Sequence, residues 1–216
     1  MKIHEPRLTA SSTLIVATHN KGKLREIADL LSPWKLQVAS AADYQLDEPE
    51  ETGSTFAENA ALKARAATEA TGLPALADDS GLAVDALDGA PGIYSARWAG
   101  ANKDFTAAMQ RVKQELEQRN VPTAQWSASF ICNLCLCLPN GITHHFEGRI
   151  NGSLVFPPRG SEGFGYDPIF QPEYHDRTFG EMTIPEKQTL SHRARAMTQF
   201  LAFVKKEEMD KNLINK

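Results

Sequence analysis

The sequence predicts an α/β (mixed α+β) fold, a mixed β-sheet flanked by helices, and three observations carry that prediction. Short β-branched apolar runs alternate with stretches of helical periodicity in the N-terminal half. Two long strand-like stretches later in the chain are joined by Pro139-Asn140-Gly141, where Asn-Gly is a strong hairpin signal. The composition, 42% hydrophobic and 23% charged over 216 residues, is that of a folded chain with one sizeable core.

Taken in order, residues 1–12 are polar and unpatterned and read as a loose leader. Thr13–Ala17 reads as a strand buried on both faces, broken by the polar turn Thr18–Lys23. Leu24, Ile27, Leu30 and Leu31 then follow at helical spacing. Asp47–Glu51 places four acids around a proline and reads as a loop. Thr55 with Glu58 forms a capping box that opens an alanine-rich helix running towards Gly72. Ala75–Ala77 and Gly81–Leu87 look like strand pieces interrupted by Asp78-Asp79-Ser80. A helix is expected at about 103–119, with Ala108, Met109, Val112 and Leu116 on its buried face. Trp126–Leu138 and Ile142–Phe156 are the hairpin strands, Gly160–Asp167 is a glycine-bearing loop, and a last helix begins after Ser191. No repeat or composition shift marks a boundary, so 13–205 reads as a single domain followed by a charged tail at 206–216.

Composition also excludes functions. A net charge of −4 argues against holding nucleic acid by bulk electrostatics, which needs a basic face. No apolar run reaches the roughly 18 residues of a membrane span, and the first residues lack the apolar stretch of a signal peptide, so a cytoplasmic protein is expected. Cys132, Cys135 and Cys137 read as buried thiols, because a strand turns Cys132 away from the other two and no second pair completes a tetrahedral site. His144 and His145 point to opposite faces and make a poor metal pair.

Several segments carry groups fit for chemistry. The turn Thr18-His19-Asn20-Lys21-Gly22-Lys23 follows a strand and opens a helix, offering backbone N–H groups, Thr18 and Asn20 side chains and two lysines to a polyphosphate. It lacks Walker A spacing, and taken alone it is better accounted for as a capped turn with solvated lysines. Asp78 and Asp79 repel one another at the end of a strand-like run, a conflict that a divalent cation such as Mg²⁺ resolves. A carboxylate there can also orient a water for attack on phosphorus, although a plain Asp or Ser turn is the alternative. Phe164-Gly165-Tyr166-Asp167 supplies aromatic faces for a nucleobase and an acid for its edge, with core packing as the alternative. Lys187, His192 and Arg193 surround Ser191 at the last helix start and suit an anion or a base edge, although such pairs usually sit on the surface.

Six stretches together resemble a known family, the inosine triphosphate pyrophosphatases, also described as dITP/XTP pyrophosphatases. They are Ala17–Lys23; Glu50–Gly53 with Phe56–Lys63; Ala77–Gly81; Gly89–Arg97; Gly163–Phe170; and Ser191–Arg193, in the family's order. The resemblance implies Mg²⁺-dependent hydrolysis of purine nucleoside triphosphates with a 6-keto base (ITP, dITP, XTP) to monophosphate and pyrophosphate. It further implies an elongated sheet, two lobes around a cleft, and a homodimer. Carried over by position, Asp79 is the general base and a metal ligand, and Glu50 a second metal acid. Thr18, His19, Asn20, Lys21, Gly22 and Lys23 hold the triphosphate, and Ser80 contacts substrate. His19 stands where relatives often carry glycine. Phe164, Gly165, Tyr166 and Asp167, with Lys187, His192 and Arg193, form the base pocket, where Phe164 stacks and donors face the 6-keto oxygen. A non-catalytic nucleotide sensor is the competing class, and a pyrophosphatase for other bases differs only in the pocket.

Overall fold

The structure, a computed structural model, describes residues 12–34 and 36–214, so the expected leader lies outside them apart from Ser12. Six strands form one sheet in the order β2-β1-β3-β4-β5-β6. The strands are β1 (Thr13–Val16), β2 (Gln37–Ser40), β3 (Ala75–Val84), β4 (Ser127–Cys137), β5 (Thr143–Leu154) and β6 (Phe170–Pro172). Strand β1 runs parallel to β2, with Leu14 opposite Val38, and parallel to β3, with Ile15 opposite Ala75. Strand β6 runs antiparallel to β5, with Leu154 opposite Phe170. The sheet is therefore mixed, as expected from parallel crossovers followed by a hairpin.

The helices are α1 (Lys21–Leu31), α2 (Phe56–Thr71), α3 (Ser95–Trp98), α4 (Phe105–Gln118), α5 (Ile184–Leu190) and α6 (His192–Ile214). Among the described residues no helix is long and apolar enough to cross a membrane. The chain divides into two compact units. One comprises the residues up to Asp79, 133–147 and those from Arg195; the other comprises 80–132 and 148–194.

The first unit holds β1, α1, β2 and α2, and its core is built from small side chains. Ala60, Ala64 and Ala67 of α2 pack with Ile15, Ala75, Ala77, Cys135 and Cys137. Thr55 caps α2 by accepting from the Glu58 N–H at 3.1 Å, and Gly72 ends it at φ 69°. The Glu58 carboxylate also takes the Ser54 N–H and hydroxyl. The second unit packs larger groups, with Ala108, Met109, Val112 and Leu116 of α4 buried among Leu82, Trp126, Phe130 and Phe170. That is the face the periodicity marked.

Three differences from the sequence reading have physical causes. Strand β3 is one continuous ten-residue strand through Asp78-Asp79-Ser80, because lysines neutralise both acids. Short β2, β6 and α5 carry too few residues for periodicity to register, and α5 is held by a Thr183–Glu186 capping box. Helix α6 continues to Ile214, through most of the stretch read as a tail.

The small-residue face of α2 generates a stability prediction. Ala64→Leu forces three extra heavy atoms into a site where Ala64 is fully buried, and should cost about 1–3 kcal/mol. Urea unfolding read by circular dichroism measures it, and an unchanged midpoint would show that this face has room to spare.

Candidate active site

In the first unit, β1 delivers the chain to Thr18 and the turn into α1. Asn20 is the N-cap: its Oδ1 accepts from the Gly22 N–H at 2.9 Å and the Lys23 N–H at 3.1 Å. Thr18 Oγ1 accepts from the Asn20 N–H at 3.2 Å. The turn was expected to offer free backbone donors, but those of Gly22 and Lys23 are taken by the cap. What it presents is the positive end of α1 and the exposed side chain of Lys21. His19 is turned to the acidic loop, its Nε2 2.8 Å from Leu46 O and its Nδ1 4.0 Å from Glu48.

The acids of β3 sit between lysines from two helices. Lys23 Nζ lies 2.5 Å from Asp78 Oδ1, whose side chain is wholly buried. Lys63 Nζ, from α2, lies 3.1 Å from Asp79 Oδ1 and 2.7 Å from Glu51 Oε1. Asp79 Oδ2 is buried with no hydrogen-bond partner. Asp78, Asp79 and Glu51 thus meet the ammonium groups of Lys23 and Lys63. Burial is the main force raising the Asp79 pKa above the ordinary aspartate value, and Glu51 and Asp78 add to it against the pull of Lys63 and Lys23. Burial alone would favour neutral Lys63, but Asp79 and Glu51 outweigh it and hold its pKa above normal.

Glu50, the acid expected beside Asp79, is exposed, and its neighbour Glu51 is the one engaged with Lys63. Successive residues of an extended loop face opposite ways, so an offset of one exchanges inside for outside. Lys63 is the other residue not singled out as a site group. A signal for it was present: at helical spacing it shares the buried face of Asn59, Ala60, Ala64 and Ala67. A cavity of about 320 Å³ adjoins this group, walled by Ala17, Ala66, Ala67 and Ala70, with His19 and Lys63 among its polar lining.

In the second unit the loop after Gly163 (φ 72°) folds onto Asp167. Asp167 Oδ2 accepts from the Phe164 N–H at 2.8 Å and from Lys187 Nζ at 2.6 Å. A Cβ on Gly163 would collide with that carboxylate, so this position has both the φ and the space of glycine. Lys187 Nζ also lies 4.7 Å from the Phe164 ring centre, and the Arg193 guanidinium 5.9 Å. Arg193 is fully buried and donates through Nη2 to Ser80 Oγ at 2.9 Å.

Ser80, Phe164, Asp167, Lys187 and Arg193 therefore form one connected group. Gly165 sits beside Phe105 at φ 68° and is part of the same loop. Tyr166 is instead a core residue: its hydroxyl donates to Ser95 O at 2.9 Å, and its ring meets Phe105 edge-on. His192 is buried with its ring stacked on Phe130 at 4.8 Å. The three cysteines are buried thiols outside any disulfide, and burial pushes the Cys135 thiol up to about 12, as befits an inert core group.

The raised Asp79 pKa has a consequence for stability. A carboxyl group whose folded pKa lies above its unfolded one contributes stability present at acid pH and lost as pH rises through the folded value. Asp79→Asn removes that loss. With chelator present, the melting temperature of Asp79→Asn relative to the native protein should therefore climb between pH 4 and pH 7. A difference that shrinks over that range would mean that the lysines, not burial, dominate.

Comparison with known proteins places the chain in a family. The sequence profile of the Ham1 family matches residues 14–203. A dITP/XTP pyrophosphatase of Rhodospirillum centenum is 57% identical over 197 residues, covering 91% of this chain and 97% of that protein. One from Agrobacterium fabrum is 51% identical over 201 residues, covering 88% and 94%. The structure of a HAM1 protein from Coxiella burnetii superposes with a TM-score of 0.83 at 40% identity, covering 90% of this chain and 99% of that one. A nucleoside-triphosphatase / dITP/XTP pyrophosphatase from Mycobacterium abscessus gives 0.71 at 41% identity, covering 88% and 98%. With the profile spanning nearly the whole described chain and half its residues shared with full-length relatives, the chain belongs to the Ham1 family.

Proposed function

We propose that this protein hydrolyses deaminated purine nucleoside triphosphates (dITP, ITP and XTP) to the monophosphate and pyrophosphate. In a cell this keeps such bases out of DNA and RNA. The observation that carries the reading is Asp79: buried, its pKa raised, one oxygen on Lys63 and the other without a hydrogen-bond partner. A base of that kind accepts a proton from water more readily than a solvated aspartate. Water attacks phosphorus, its proton passes to Asp79, the bond between the α- and β-phosphates breaks, and pyrophosphate leaves with the bonding electrons. Lys21 and the N-terminus of α1 offer positive charge to the phosphates.

The acids fit a hard divalent cation such as Mg²⁺. Among the described residues no three His, Cys, Asp or Glu side chains form a cage. Mg²⁺ bound with a nucleotide, however, takes one or two carboxylates and completes its shell with phosphate oxygens and water. Asp79 and Glu51 would hold it, with Glu50 left in solvent. Bound there, the ion neutralises phosphate charge and polarises phosphorus towards attack.

Selectivity falls to the second unit. Lys187 and Arg193, fixed by Asp167 and Ser80, place cationic donors around Phe164, a ring fit to stack on a purine. A 6-keto oxygen accepts from such donors; the 6-amino group of adenine does not, and leaves them unpaired. A cytoplasmic homodimer completes the reading, and light scattering that returns a monomer mass at micromolar concentration would count against the dimer.

Release of pyrophosphate from dITP and dATP, with and without Mg²⁺, tests the proposal. Hydrolysis should favour dITP by at least about 10² in kcat/KM and stop with chelator; equal rates would remove the selectivity claim. Asp79→Asn should lower kcat by about 10²–10⁴ while still binding nucleotide. A variant that keeps most of its turnover would show that another group is the base.

A further inference from the structure

Asn59 lies one helical turn before Lys63 on the buried face of α2 and is itself fully buried. Its Oδ1 accepts from the Gly53 N–H at 2.8 Å. That bond fixes the amide orientation, since a backbone N–H can only meet the oxygen. Its Nδ2 is buried with no hydrogen-bond partner. A leucine would fill similar space without the cost of an unmet donor, so packing alone is a poor reason for asparagine here. Gly53 is the second residue after Glu51, whose carboxylate holds Lys63. The loop is gripped twice by one face of one helix: by its backbone at Gly53 through Asn59, and by its side chain at Glu51 through Lys63. The fit is tight, because a Cβ on Gly53 would stand 2.6 Å from Asn59 Oδ1 and 2.7 Å from Glu58 Cβ.

We propose that Asn59 is a positioning residue that sets Glu51 against Lys63 and Asp79 by holding the Gly53 amide, a role that rests on reading Glu51 and Asp79 as the acids of the site. Asn59 touches neither substrate nor the reacting atoms in this role. It limits where the loop can place the Glu51 carboxylate, and displacements near an ångström at such a group suffice to lower kcat severely.

A double-mutant cycle on the full chain tests it, with dITP as substrate at saturating Mg²⁺. Asn59→Ala should lower kcat about tenfold and leave KM within about twofold. In an E51Q background the same change should alter kcat by less than about twofold, because the group it positions is already gone. A merely destabilising substitution would instead act alike in both backgrounds, and that result overturns the proposal. Gly53→Ala displaces the loop from the other side and should reproduce the loss and its masking by E51Q; it also stands in should Asn59→Ala not fold. A further arm needs no activity: the Gly53 amide should exchange with solvent at least about tenfold faster in Asn59→Ala than in the native protein. If the native protein hydrolyses no nucleoside triphosphate, the activity reading falls by itself and this arm decides for Asn59. Equal exchange in the two proteins overturns the tie.

Discussion

Strand β3 runs through two adjacent buried aspartates, and the rest of the first unit is arranged so that it can. Removing two like charges from water costs several kcal/mol each unless a partner repays it. Lys23 repays Asp78, and Lys63 repays Asp79. Each lysine must then come from an element held close to the strand. The Asn20 cap starts α1 so that Lys23 falls within its first turn. Helix α2 reaches Asp79 with a lysine because its contact face is alanine, which lets the helix approach the strand closely. The alanine stripe and the buried lysine are two parts of one solution, since larger side chains at Ala60 or Ala64 would hold Lys63 away from its carboxylate.

The second unit uses a buried acid differently. Asp167 is engaged by Lys187 and the Phe164 amide, so it shapes a loop and fixes a cation beneath an aromatic ring. Asp79 keeps one oxygen with no hydrogen-bond partner. An acid bound by the chain's own donors is suited to holding shape, and an acid with an uncommitted oxygen is suited to taking a proton. Sequence alone shows two aspartates in polar company and cannot separate these roles.

Legibility followed the same division. Helices α1, α2 and α4 and the β4–β5 hairpin were readable because apolar period and caps are local properties. The break predicted at Asp78 failed because the charges that cancel there arrive from residues 23 and 63, far along the chain. That Glu50 is exposed while Glu51 meets Lys63 was similarly illegible, since the side of a loop that faces inward is decided by the helix it meets. Tyr166 looked like a stacking ring because an aromatic beside glycines suits that role; its bond to Ser95, 71 residues away in sequence, makes it core. Asn59 carried no local signal at all, because its partner is a backbone amide.

The charge balance joins the fold to the proposed chemistry. The chain carries a net −4, and three of its acids, Asp78, Asp79 and Glu51, are gathered around Lys23 and Lys63. A triphosphate approaching that cluster meets repulsion from the very carboxylate proposed to take the proton. Lys21 and the end of a single helix are modest attraction for such a polyanion, since a helix terminus carries only about half a charge. In the proposed function a further positive charge therefore enters with the substrate, lessening the repulsion between the carboxylates and the polyanion. The burial that raises the Asp79 pKa, and so makes it an effective base, is in that proposed function matched to a nucleotide that arrives bound to a cation.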